Sequence, residues 1–236
     1  MLQAIVFDFD CVIADTEPLH LRASQTVLRT VGIELGERDY YDRYLGFDDA
    51  GMFGAIARDL GVTLDKPTIA ALMAGKSRVW ESMLTGDSML CPVASDCIRR
   101  CAAQVPLAIA SGALGHEIDL ILTRSGLREY FSAIASGSDA LPGKPAPDLY
   151  LRALVRLQEA AGAGNHRPST AIAAGRCVAI EDSRWGIESA RLAGLCSVAV
   201  THTYPAGDLA GANLIVESLD EVTVPRLQQL CTRIRG

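Results

Sequence analysis

Six short stretches of the chain read as strands, at residues 4–7, 107–110, 133–135, 178–180, 197–200 and 214–216. Most are continuously apolar instead of alternating, which is the pattern of strands buried on both faces of a sheet. Between most of them apolar positions recur at helical spacing, over 94–103, 114–125, 147–160 and 184–193. Strands and helices in alternation predict an α/β, Rossmann-like parallel sheet with helices on both faces.

Residues 15–85 break the alternation. No convincing strand occurs there. Thr16 offers an N-cap, Pro18 suits a first turn, and a helix can run to about Val31 before Gly32 stops it. Further helical patterns cover 37–44, 49–60 and 67–84. The expected organisation is an all-helical domain, 15–85, inserted after the first strand of a core made from 1–14 and 86–236. Residues 161–175, small and polar, read as a long surface loop.

Composition narrows the class. The chain has 236 residues, 49% of them hydrophobic, and a net charge of −6. That is enough for a sizeable core, and with no basic run it gives no footprint for nucleic acid. The apolar runs are too short to span a membrane, and Asp8 interrupts the first too early for a signal peptide, so the expected location is cytoplasmic. Monomer or weak homodimer is the expected state. The seven cysteines, scattered through apolar segments, read as reduced buried thiols. Cys91, Cys97 and Cys101 fit no familiar zinc spacing, and the last two share a helix face. Lysine occurs only at 66, 76 and 144, against nineteen arginines. A position that stays Lys against that bias is one that needs a compact point charge.

Chemistry gathers at the strand ends, where open parallel sheets bind their ligands. The first strand runs into Asp8-Phe9-Asp10, the second into Ser111-Gly112, and a later one into Glu181-Asp182-Ser183. A rigid loop, Gly143-Lys144-Pro145-Ala146-Pro147-Asp148, leads into a helix between the last two. Asp8, Asp10, Glu181 and Asp182 crowded together would repel, and a hard dication such as Mg²⁺ relieves that where a phosphate completes its shell. One carboxylate can then attack phosphorus, and a second, two residues on, can serve as acid and base. Ser111, the backbone N–H groups around Gly112, and Lys144 can hold the transferring group's oxygens.

FDFDCVIADTE, ASG, GKPAPD and IEDSRWG resemble the four ordered motifs of the haloacid dehalogenase-like hydrolase superfamily, and the helical insert resembles its smaller, C1-type cap. The resemblance implies Asp8 as nucleophile and Asp10 as general acid/base. It implies Ser111, Gly112 and Lys144 as phosphate ligands. Mg²⁺ would be held by Asp8, the Asp10 backbone carbonyl and Asp182, with Glu181 assisting directly or through water. Dehalogenating members lack an aspartate at the position of Asp10, so its presence points to phosphoryl transfer. Cys11 departs from the pattern, since the family usually has glycine there, a residue suited to strained backbone.

In the insert, Ile69, Leu72, Met73, Trp80 and Met83 form one apolar stripe that contains Lys76, which must snorkel or enter a polar cleft. His20 shares a face with Ala23, Val27 and Val31. The sequence is similar here to the β-phosphoglucomutase-like subgroup, in which positions matching Asp15, Thr16, His20 and Lys76 serve cap closure and control of the acid/base. Those mutases grip a second phosphate with a cap-loop arginine. The corresponding loop here is acidic, with Asp48 and Asp49, unless Arg43 or Arg78 approaches. The expected activity is therefore hydrolysis of a small phosphorylated metabolite, a sugar phosphate foremost. A phosphosugar mutase is the alternative, and a non-catalytic binding module comes third. Thr16, His20, Asp49 and Lys76 are the candidate substrate-selecting residues. His116, His166 and His202 read as background.

Overall fold

A computed structural model describes residues 1–45, 47–83, 89–91, 93–163 and 171–233. The chain divides into two compact units, Thr16–Gly86 and the combination of Met1–Asp15 with Asp87–Gly236.

The first of these units is helical: α1 (Glu17–Arg29), a single turn α2 (Glu37–Asp39) that widens into a π-helical turn at Tyr40–Tyr44, α3 (Asp49–Leu60) and α4 (Lys66–Met83). α1 carries Glu17 in its first turn and Arg29 in its last, each favourable to the helix dipole. Thr16 holds the N-cap position as expected, but not through its side chain. Its backbone is already helical (φ −95°, ψ −13°), so its hydroxyl makes no cap hydrogen bond. The Thr16 carbonyl accepts instead from the Leu19 and His20 N–H groups at 2.9 and 3.0 Å. The helix also stops two residues short of Val31. Gly32, at φ 74°, takes the left-handed turn that lets the Ile33 N–H reach back to the Leu28 carbonyl at 3.0 Å. Val31 is thereby left outside the helix and 38% exposed, off the face it was expected to share with His20.

α3 is capped by Asp48, whose side chain accepts from the Gly51 N–H at 2.7 Å. The unit's core joins Leu21, Val27, Leu28, Tyr40, Phe53 and Leu72. On α4 the buried positions are Leu72, Lys76 and Trp80. Met73 lies at the edge of the stripe and is exposed, a correction to the reading from spacing alone.

The second unit is built on one six-stranded sheet in the order β3-β2-β1-β4-β5-β6. The strands are β1 (Ala4–Phe7), β2 (Leu107–Ala110), β3 (Phe131–Ala135), β4 (Cys177–Glu181), β5 (Cys196–Val200) and β6 (Leu214–Val216), and every pairing is parallel. β1, β2, β4 and β5 are buried along their whole length, in keeping with their mainly apolar sequences, with Glu181 and Ser197 as the buried polar members. β3 begins two residues earlier than predicted, with a register irregularity opposite Leu107/Ala108. The helices are α5 (Ala94–Ala102), α6 (Gly115–Arg124), α7 (Asp148–Ala163), α8 (Arg184–Leu192) and α9 (Val224–Arg233). α9 was not anticipated, although Val224, Leu227 and Cys231 form its buried face at helical spacing. Cys97 and Cys101 share the buried face of α5 and hydrogen-bond one another.

The predicted loop at 161–175 is corrected at both ends. α7 continues to Ala163, and beyond the undescribed residues 164–170 the chain is pinned. There the Ile172 N–H donates to Gln158 at 2.7 Å and the Ala173 N–H to Gln3 at 2.9 Å. Among the described residues no helix is long and apolar enough to cross a membrane.

Candidate active site

β1 lies at the centre of the sheet, between β2 and β4. The chain winds one way from β1 through β2 to β3, then crosses to β4 on the other side. The carboxyl ends of β1 and β4 therefore flank the topological switch point, where a crevice opens. Asp8 continues the ladder at that end, its N–H donating to the Ile180 carbonyl at 2.9 Å. Asp8 Oδ1 accepts from the Phe9 N–H at 2.8 Å and pairs with the Lys144 ammonium at 2.7 Å.

After Asp8 the chain makes a tight turn. The Cys11 N–H donates to the Ala14 carbonyl at 2.7 Å, and Ile13 and Ala14 both bond back to the Phe9 carbonyl. Cys11 sits at φ 57°, a left-handed conformation unusual for a residue with a side chain. The turn leaves Asp10 half-buried, with the Ser111 hydroxyl 3.5 Å from its Oδ2. Ser111, at the end of β2, also accepts from the Ala113 N–H at 3.0 Å, and Gly112 beside it is exposed.

Glu181, wholly buried at the end of β4, is held on both oxygens. Oε1 accepts from Lys144 and from the Tyr150 hydroxyl, each at 2.7 Å. Oε2 lies 3.3 Å from both the Asp182 N–H and the Ser183 hydroxyl. The carboxylate rests against the start of α8 so closely that a Cβ on Gly186 would come within 1.9 Å of it. Only glycine leaves room there. Asp182 is buried beside it and accepts from the Thr203 hydroxyl.

One ligand oxygen each from Asp8, Glu181 and Asp182 lie within 4.8 Å of one another. Burial, then the charge of Glu181, raises the Asp8 carboxyl well above its usual range, against the opposing pull of Lys144. The same two causes push Asp182 up to about 7. Burial alone would lower the Lys144 ammonium, but the Asp8 and Glu181 carboxylates outweigh it and hold the proton more tightly. One ammonium among three buried carboxylates leaves excess negative charge at a set of hard oxygen donors. That donor chemistry fits a divalent cation such as Mg²⁺. The Asp10 carboxylate is not in the set and turns to Ser111 instead.

In the helical unit Thr16 is fully buried, and the His20 ring stacks on Trp80 with centroids 5.4 Å apart. Burial, and then the nearby Lys76 charge, lowers His20 to about 3. Lys76 does not snorkel. It is buried and ion-paired with Asp49. Arg43 pairs with Asp59 and Asp39. The cation paired with Asp49 among the described residues is Lys76.

The sequence reading missed Tyr150, Gly186, His202 and Thr203. Tyr150 follows Lys144 by six residues and could have been found by asking what a helix entered at Asp148 points back at Lys144. Gly186 closes the IEDSRWG stretch, but its role under Glu181, like those of His202 and Thr203, carries no signal without the fold.

The sheet and its crevice, with a lysine bridging buried carboxylates, make this a Rossmann-like α/β core with an acidic site at its carboxyl edge. Residues 5–200 match the family model for haloacid dehalogenase-like hydrolases, and the chain belongs to that family. It is 32% identical to Protein CbbY (plasmid) of Cupriavidus necator over 97% of this chain and 90% of that protein. It is 28% identical to the fructose-1-phosphate phosphatase YqaB of Escherichia coli over 83% of this chain and 95% of that one. Among solved structures, a CbbY variant from Rhodobacter sphaeroides in complex with xylulose-1,5-bisphosphate superposes with a TM-score of 0.82 at 25% identity, covering 96% of this chain and 99% of that one.

Proposed function

We propose that this chain is a Mg²⁺-dependent phosphoric monoester hydrolase acting on a small sugar phosphate through an aspartyl-phosphate on Asp8. The observation that carries the reading is the gathering of Asp8, Glu181 and Asp182 around one crevice, with Lys144 bridging the first two. In the first step an Asp8 oxygen attacks phosphorus and the bond to the leaving oxygen breaks, while Asp10 gives that oxygen a proton. In the second, Asp10 takes a proton from water, which attacks the aspartyl-phosphate; inorganic phosphate leaves and Asp8 is regenerated. Lys144, Ser111 and the N–H of Gly112 hold the non-reacting oxygens. Asp8, Asp182 and the Asp10 carbonyl would hold Mg²⁺, with Glu181 alongside. The ion supplies positive charge that lets two anions approach.

Further support comes from the relatives, one named for hydrolysing fructose 1-phosphate and one crystallised with a bisphosphate of xylulose. We read the helical unit as a cap and place Thr16, His20, Asp49 and Lys76 among its substrate-selecting residues. Asp49, neutralised by Lys76, suits hydroxyl groups better than a second phosphate. That favours the phosphatase over a mutase.

The test is a screen of phosphorylated metabolites, scoring free phosphate and isomer together, with Asp8→Asn as control. Phosphate release that EDTA abolishes and Asp8→Asn lacks is the expected result. Isomer formation with little phosphate, stimulated by a bisphosphate, would replace this reading with the mutase. No turnover and no labelling of Asp8 by any phosphoryl donor would leave a binding module.

A further inference from the structure

Two consecutive residues outside every motif quoted above reach the site from the end of β5. After Val200 the chain turns through Thr201-His202-Thr203. The Thr201 N–H donates to the Val216 carbonyl at 3.0 Å, tying the turn to β6. On its other side the turn is braced by Tyr204, whose ring meets Trp185 edge-on at 6.1 Å and packs on the cluster of Ile187, Ala199 and Leu209. From this anchored turn the Thr203 hydroxyl donates to Oδ2 of Asp182. His202 Nδ1 lies 3.0 Å from the Cys11 carbonyl oxygen. A carbonyl can only accept, so that ring nitrogen carries the hydrogen.

We propose that His202 and Thr203 are positioning residues for the reaction: one anchored turn orients the Asp182 carboxylate and steadies the left-handed Cys11 peptide that follows Asp10. The inference rests on the reading of Asp182 as a metal ligand and Asp10 as the acid/base. An aspartate carboxylate can rotate away from its neighbours, and Glu181 and Asp8 both repel it. The threonine hydroxyl fixes one oxygen and leaves the other for the cation, the arrangement that hydrogen-bonded carboxylate ligands adopt generally. At φ 57° Cys11 carries a strain that glycine would not, and an outside partner holds its backbone against relaxing out of that conformation. The histidine supplies that partner by gripping the carbonyl. That carbonyl belongs to the peptide joining Cys11 to Val12, one residue beyond Asp10, so a swing of the Cys11 backbone displaces the acid/base.

The experiment measures Mg²⁺ binding to the metal-free protein by titration calorimetry, alongside kcat and KM. Thr203→Val keeps the shape and removes the donor, and it is expected to weaken Mg²⁺ binding about tenfold. Thr203→Ser keeps the donor and is expected to restore most of that affinity, which a merely structural role would not do. His202→Ala, at an exposed position, should lower kcat severalfold with KM nearly unchanged. Thr203→Val binding Mg²⁺ as tightly as the wild type, Thr203→Ser binding as weakly as Thr203→Val, or His202→Ala turning over normally would each overturn the proposal. The two readings fail differently. If the wild type itself binds no Mg²⁺, the functional reading falls and takes this one with it. If the wild type binds and Thr203→Val binds equally, only the positioning role falls.

Discussion

Cys11 shows what one residue can cost. Its φ of 57° puts Cβ against the following carbonyl, a conformation that costs an ordinary L-residue about 1–2 kcal/mol. Glycine would escape that strain but lose more chain entropy on folding. The balance predicts that Cys11→Gly raises unfolding stability by about 1 kcal/mol or less, read as a shift in the urea midpoint at unchanged slope. A lower midpoint would mean that the cysteine side chain contributes more by packing than the turn loses by strain. His20 makes a residue-scale prediction about pH. Its folded value, lowered from 6.5 to about 3, means that between those limits the unfolded chain binds a proton that the folded chain refuses. Stability from this group is therefore fully present above 6.5 and drains away as pH falls toward 3. His20→Gln cannot titrate. Its stability should fall less steeply than that of the wild type on acidification, by up to one proton's worth of slope. Parallel pH profiles would show that the ring is not kept neutral.

At the level of elements, Gly186 explains why α8 can begin where it does. The helix starts directly over the Glu181 carboxylate, and an added methyl would overlap it at 1.9 Å. Gly186→Ala must push α8 off β4 or turn Glu181 out of its bonds to Lys144 and Tyr150. A loss of about 1–3 kcal/mol in stability is expected, together with a large loss of turnover. Full activity in Gly186→Ala would mean that the Glu181 seat can be rearranged freely. This contact also marks where sequence reading ended. The strands at 4–7 and 107–110 were legible to the residue because burial on both faces writes an unbroken apolar run, and the half-buried edge strand at 214–216 because its short apolar run is bounded by polar residues. The aspartates, Ser111 and Lys144 were legible because they sit where such runs stop. Less visible were features decided by backbone geometry. Thr16 stands at the cap position but with a helical backbone that denies its hydroxyl the cap bond, and the run at 37–44 gave no hint of its π-helical turn. Thr203 and His202 belong to a turn whose only claim on the site is that β5 lies beside β4 in the sheet order. That adjacency is a property of the fold, and no local pattern encodes it.

For the whole molecule, the decisive fact is that its oxygen donors come from opposite ends of the chain. Asp8 follows the first strand and Asp182 the fourth, and only the finished sheet brings β1 beside β4. An unfolded chain offers a cation scattered carboxylates, so a divalent ion at this site binds the native state almost exclusively. By mass action, Mg²⁺ at a hundred times its dissociation constant should then stabilise the fold by about 2.7 kcal/mol. For a chain of this size that raises the melting temperature by roughly 5–10 °C over the EDTA-treated protein. Asp182→Asn should lose most of the increment, because it removes a charged donor and leaves its shape. The same substitution relieves the crowding of Asp8 and Glu181, so without metal the variant should melt no lower than the wild type. The two responses have opposite causes, one from binding an ion and one from losing a repulsion. A scan of both proteins with and without Mg²⁺ separates them. Equal Mg²⁺ shifts in wild type and variant would place the ion elsewhere on this acidic chain, and no shift in either would mean that the three carboxylates do not act together.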